Sequence, residues 1–177
     1  MPIKNVEQPE LIHITNNLRL RKYDGVFDFA LKWYQDEETL LSVNNTPDKY
    51  DMDKLKRMYT YLANQGEEYF IEIMEGETFI PIGDVTFWKD DMPIVIGEKK
   101  YRGRGIGKLV ITALINRAKT LGYGEIRVDE IYKFNISSKK LFESCGFTKY
   151  EETDKGYRYR LKISQNDQSM ALYEMEV

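Results

Sequence analysis

The stretch PIVIGEKKYRGRGIGKLVITALINRAKTLG, from Pro93 to Gly122, decides how this chain is read. Ile94, Val95 and Ile96 form a β-branched apolar run of the kind that makes a buried strand, and glycines at 97, 103, 105 and 107 break it. Beyond them Ile106, Leu109, Val110, Ala113, Leu114, Ala118 and Leu121 fall on one helical face, and Lys119 followed by Gly122 closes the element. The spacing predicts a strand, a glycine turn and a helix start.

A helix start presents unpaired backbone N–H groups and the positive end of the helix dipole, and glycines leave no side chain to keep an anion from those amides. Arg102, Arg104 and Lys108 add full positive charges at the same point. The segment Arg102, Gly103, Arg104, Gly105, Ile106, Gly107, Lys108 is therefore read as a cradle for a phosphate or pyrophosphate, against the alternative of a tight turn with three solvated cations.

Two better-known phosphate loops fail on spacing. The dinucleotide pattern G-x-G-x-x-G meets Lys108 or Val110 where its last glycine belongs, and the nucleoside-triphosphate loop meets Arg102 and Leu109 at two required positions. What fits is R-x-x-G-x-G at Arg102, Gly105 and Gly107. That pattern resembles the acetyl-coenzyme A pyrophosphate loop of the GNAT acetyltransferases. The resemblance continues through the apolar-rich stretch Ile126 to Ile131, then Asn135-Ile-Ser-Ser138, then KKLFESCGF ending in Cys145-Gly146-Phe147, and covers roughly residues 82 to 163. The W-x-x-D spacing of Trp33 and Asp36 is similar to the branch holding ribosomal-protein N-terminal and aminoglycoside N-acetyltransferases.

Composition bounds the remaining classes. With 177 residues, 42% hydrophobic and 31% charged, the chain has ample material for one domain with a core. No window of 18 or more apolar residues occurs and the N-terminus lacks a signal-peptide pattern, so the expectation is a cytoplasmic protein with no membrane partner. One cysteine and one histidine cannot form an internal disulfide or an ordinary zinc site, and His13 near the N-terminus is a poor member for a Ser-His-Asp triad. A net charge of −3 argues against broad nucleic-acid binding. Residues 1 to 93 carry 18 Asp and Glu against 10 Lys and Arg, and residues 94 to 177 carry 11 against 16. A basic half suits a polyanionic cofactor and an acidic half a cationic amine; both halves can equally be solvated surface.

Along the chain, residues 1 to 17 read as a leader of little regular structure, 18 to 163 as a single domain, and 164 to 177 as a tail that can add a strand or meet a partner. Leu18 to Tyr23 reads as a strand with one wet face, and Asp24 as the cap of a helix running from Val26 towards Leu41. A second helix is expected from about Met52 to Asn64, then a hairpin of Glu68 to Met74 and Thr78 to Trp88 across Glu75-Gly76-Glu77. Strands first in a meander and then alternating with helices argue for an α/β fold. The resemblance implies its detail: a mixed, mostly antiparallel twisted sheet of six to seven strands with about four helices on both faces.

The resemblance also implies the chemistry: transfer of acetyl from acetyl-coenzyme A to a primary amine on a small molecule or peptide, by direct attack, in a monomer or homodimer. An amine with a reference pKa of about 10.4 must lose a proton first. Glu130, five residues before Asn135, is similarly spaced to a general-base glutamate in N-terminal acetyltransferases of the superfamily, with Asp84, Asp91 and Glu98 as rivals. Val95, Ile96 and Gly97 occupy the position whose amides hold the pantetheine arm and the acyl oxygen. Asn135 and Ser138 are read as further cofactor contacts, Asn135 doubling as a helix cap. Phe142 stands where many relatives carry a tyrosine that protonates the thiolate, which keeps open a second reading, a coenzyme A-binding sensor or scaffold with weak or no catalysis.

Overall fold

The computed structural model describes residues 2–164, so the expectation for the tail beyond Ser164 lies outside the described residues. The chain groups into two compact units, one taking in the chain up to Trp88 together with Pro93–Ile106, the other Lys89–Met92 and the chain from Gly107 onward. In the first unit a sheet runs in the order β1 (Leu11–Thr15), β2 (Leu18–Lys22), β3 (Glu67–Glu75), β4 (Thr78–Phe87) and β5 (Ile94–Ile96), all neighbours antiparallel. Two helices accompany it, α1 (Glu37–Asn44) and α2 (Met52–Gln65).

Local chemistry sets these elements. Asp36 caps α1 by accepting from the Thr39 N–H at 3.1 Å, and Asn45 ends it in the left-handed conformation at φ 57°. Asp51 caps α2 through the Lys54 N–H at 2.7 Å. Gly76, at φ 62°, supplies the turn of the β3–β4 hairpin. Glu68 lies opposite Thr86 and Phe70 opposite Asp84, so with a two-residue side-chain period these four share one face. That face meets an aromatic layer, with Tyr23, Phe29 and Tyr59 ringing Phe70 at centroid distances of 5.8, 4.8 and 5.6 Å.

Two stretches differ from the sequence reading. Leu11–Thr15 is a strand, not part of an irregular leader; it is the edge of its sheet, and none of its residues is fully buried. Between Asp24 and Asp36 no α-helix forms: two 3₁₀ turns, Asp28–Ala30 and Trp33–Gln35, carry the chain. Packing overrides helical propagation here, because Phe29 turns onto Phe70 and the Trp33 indole lies flat on Gly97.

The second unit holds α3 (Ile106–Thr120), whose first residue closes the first unit, then β6 (Glu125–Tyr132), α4 (Ile136–Ser144), β7 (Thr148–Glu152) and β8 (Gly156–Lys162). Its sheet has the order β6-β8-β7, again antiparallel. Val110, Ile111, Leu114 and Ala118 of α3, Ile126, Val128 and Ile131 of β6, and Phe142, Phe147 and Tyr159 are buried. Eight strands and four α-helices among the described residues thus make an α/β fold. No described helix is long and apolar enough to cross a membrane, and no described His, Cys, Asp and Glu cluster could hold a metal.

Gly97 tests the packing of the first unit directly, since a Cβ there would sit 2.1 Å from Trp33 Cγ. Gly97→Ala is expected to lower stability by roughly 1–3 kcal/mol. A parental urea midpoint with an unchanged slope would show that Trp33 does not need the bare backbone.

Candidate functional site

The site residues expected from the sequence divide between the two units. Val95, Ile96, Gly97 and Arg102 to Ile106 belong to the first; Gly107, Lys108, Glu130, Asn135 and Ser138 to the second.

Strand β5 is the last strand of its sheet. The Thr86 N–H donates to Pro93 O at 3.0 Å, and antiparallel pairs alternate, so Asp84 and Val95 form the next bonded pair. Ile94 and Ile96 therefore turn their backbone groups away from β4. The Ile96 carbonyl accepts from Arg102 Nε at 2.8 Å, so the N–H groups of Ile94 and Ile96 are the donors that this edge turns away from β4. Of the three strand residues expected to bind, Ile96 has the orientation for it, Val95 is locked to β4, and Gly97 makes room for Trp33.

The glycine turn follows a single 3₁₀ turn, Lys99–Tyr101. Gly103 and Gly105 stand at φ 69° and 77°, conformations that L side chains resist, and a Cβ at either would meet nothing within 4 Å. Their backbones are thus approachable from outside. Gly107 differs: a Cβ there would press on Leu141 of α4 at 3.1 Å, so it is bare for close helix packing.

The Arg102 side chain is engaged within the first unit. Its guanidinium donates to Ile96 O, to Thr39 Oγ1 at 2.8 Å and to Gly97 O at 3.4 Å, and pairs with Glu38 at 3.1 Å and Asp36 at 3.6 Å. Arg104, exposed over the Tyr101 ring, and exposed Lys108 are the turn's outward cations. Asp36, of the W-x-x-D spacing, caps α1 and pairs with Lys99 at 2.7 Å; against its burial, the bonds from Lys99 and Thr39 hold its carboxyl down at about 2.

The carboxylates proposed for proton transfer sit in contrasting surroundings. Glu98 accepts from Trp33 Nε1 at 2.9 Å and pairs with Lys32; these bonds outweigh burial and hold it below the usual range. It lines a cleft of about 290 Å³ with Phe29, Lys32, Ile80, Pro81 and Lys100. Asp84 is buried and accepts from Tyr34 Oη at 2.9 Å and Tyr59 Oη at 2.7 Å. Half-buried Asp91 is pushed up to about 6 by burial, against two backbone N–H bonds. Glu130 is exposed, on a β6 bulge between Val128 and Ile131, and accepts from the Thr153 hydroxyl. Thr153 in turn accepts from the Gly156 N–H at 2.9 Å. Sequence reading missed this latch, for which a Thr three residues before a turn glycine is the only signal.

At the start of α4, Asn135 Oδ1 accepts from the Ser138 N–H at 3.1 Å, the expected cap. Phe142 is buried edge-on against Phe147, ring centres 5.2 Å apart. The half-buried Cys145 thiol is raised by burial, which fits a packed thiol and not an acyl carrier.

Residues 17–148 match the Acetyltransferase (GNAT) domain family. No curated protein matches the chain. Among solved structures, the microcin C7 self-immunity acetyltransferase MccE, in complex with acetyl-CoA and AMP, superposes at TM-score 0.69 with 16% identity, over 88% of this chain and 98% of that one. RimL, a ribosomal L7/L12 α-N-protein acetyltransferase in complex with coenzyme A, gives 0.67 with 17% identity, over 87% and 98%. Spermidine N-acetyltransferase from Vibrio cholerae, with CoA and spermine, gives 0.64 with 17% identity, over 88% and 99%.

The buried face of β3 and β4 has a consequence for pH. Glu68 Oε1 is buried with no hydrogen-bond partner, and burial followed by the charge of Asp84 holds the Glu68 carboxyl well above the usual range; burial raises Asp84 as well. The folded chain therefore keeps protons that the unfolded chain loses near pH 4, so this stability is full below about pH 4 and is lost as pH rises through the higher folded values. Glu68→Gln should flatten the fall in urea midpoint between about pH 5 and pH 8. An unchanged slope would mean that Glu68 is already ionised in the fold.

Proposed function

The chain belongs to the GNAT acetyltransferase family, and from that premise we propose that residues 18–163 act as one N-acetyltransferase domain moving acetyl from acetyl-CoA to a primary amine by direct attack. Acyl transfer itself follows from the family; the acceptor and the residue roles are the proposal. The observation that carries it is the turn ahead of α3, where Gly103 and Gly105 are open to approach, with exposed Arg104 between them. A diphosphate fits amides and a cation so placed. The acceptor class is a small or peptide amine, in keeping with RimL and the spermidine enzyme.

Acetyl-CoA supplies an acyl group already activated as a thioester. The backbone of Gly103 to Lys108 would hold its diphosphate, with Arg104 and Lys108 neutralising charge and Arg102 acting as a strut. The Ile96 N–H would donate to the acyl oxygen, an interaction worth roughly 3 kcal/mol in the transition state when preorganised. Val95 and Gly97 fix that strand, and Asn135 Nδ2 and Ser138 would meet the pantetheine arm. Glu130, with Oε1 held by Thr153, takes the proton of the attacking amine on Oε2. Phe142 has no proton to give, so the departing thiolate takes one from water, Tyr132 or Ser138. This same Phe142 supports the second reading, a coenzyme A-binding module of little activity.

Gly105→Glu should abolish acetyl-CoA binding in calorimetry, because the side chain and its charge both oppose a diphosphate. Parental affinity would remove the turn from the cofactor site. In a thiol-release assay across peptide N-termini, polyamines, aminoglycosides and amino-acid analogues, at least one amine should turn over. Glu130→Gln should lower that turnover about tenfold or more while leaving acetyl-CoA affinity within about twofold. Turnover within twofold of the parent would exclude Glu130 as the base, and silence across the panel would favour the module.

A further inference from the structure

We propose that Asp91 is a positioning residue for Glu130, acting through the backbone of the β6 bulge; this rests on Glu130 being the base. Within the second unit the segment Lys89–Met92 runs beside β6. The Arg127 N–H donates to Lys89 O at 2.9 Å, a backbone bond. Two residues on, the Asp129 N–H turns to the same side, but there it meets a side chain, Asp91 Oδ1, at 3.1 Å. The same oxygen accepts from its neighbour Met92 N–H at 2.8 Å. A carboxylate oxygen thus stands where a strand would place a carbonyl.

The position of that bond gives it its use. On the β8 side the β6 ladder runs Val128 to Tyr159 and then Ile131 to Tyr157, so Asp129 and Glu130 together oppose Arg158. Such a bulge loses a ladder bond and re-aims the side chains at it. Asp91 holds the first bulge residue by its N–H, and the Asp129 carboxylate faces Arg158 Nε at 3.2 Å. Glu130 follows directly, its own carboxylate latched by Thr153. The base is fixed twice, through its backbone by Asp91 and through its side chain by Thr153. Removing the first anchor lets the bulge relax, and displacement of a catalytic group by about 1 Å can cost up to a hundredfold in rate.

Because the role needs an acceptor oxygen and not a charge, Asn can perform it. Steady-state kinetics with the best amine of the panel should show Asp91→Ala lowering kcat about ten- to a hundredfold with acetyl-CoA affinity within about twofold. Asp91→Asn should stay within about threefold of the parent and keep the acid limb of its pH profile. In a Glu130→Gln background, Asp91→Ala should cost nothing further, since the group it positions is gone. If Asp91→Ala does not fold, Asp91→Ser, too short to span to Asp129, takes its place. An Asn variant as slow as the Ala variant would overturn the proposal and make Asp91 itself the proton acceptor. Loss of acetyl-CoA affinity in step with kcat, or a full further loss in the Glu130→Gln background, would overturn it as a general structural effect. Parental turnover in Glu130→Gln alone is the separate result that removes the base assignment, and this role with it.

Discussion

Arg102 holds the first unit of this protein to the shape its chemistry needs. One planar guanidinium bonds the Ile96 and Gly97 carbonyls at the end of β5 and Thr39 in α1, with Asp36 and Glu38 at its rim. Arg suits this because its donors are fixed in a fork, whereas Lys would supply a single mobile point. The turn that follows thus begins from a clamped residue, and its glycines open outward. Asp36 has two duties in the same clamp, capping α1 and balancing Arg102 and Lys99.

The acidic residues show how environment assigns roles to identical groups. Asp36 and Glu98 are held ionised by cations and hydrogen-bond donors, and so serve as struts. Glu68 and Asp84 lie under aromatic rings, where burial favours the neutral form. Asp91 lies between, half-buried but bonded by two amides. Glu130 alone among the candidate bases is exposed, on a bulge with a hydroxyl latch on one carboxylate oxygen.

Much of this was legible in the sequence where one residue acts through its own backbone. Gly76, Gly103 and Gly105 announce positive φ, Asn135 announces a cap, and the β-branched run at Ile94–Ile96 announces a strand. Roles that depend on distant partners were not. Nothing near Arg102 in sequence shows its partners Thr39 and Glu38. Gly97 reads as a break in the β-branched run, and nothing near it shows that its bareness serves Trp33, 64 residues earlier in the numbering. The helix expected after Asp24 had the right apolar spacing, yet the bulk of Phe29 and Trp33 is better buried on the sheet as two short turns. Leu11–Thr15 escaped notice because an edge strand has one neighbour and little burial to pattern it.

The central claim is that main-chain N–H groups at the glycine turn and on β5 bind the thioester carrier. Hydrogen exchange of the intact protein with and without acetyl-CoA tests it most directly. The account predicts slowed exchange at the amides of Gly103 to Lys108 and at Ile96. Protection confined to other segments, with these amides exchanging as before, would contradict it.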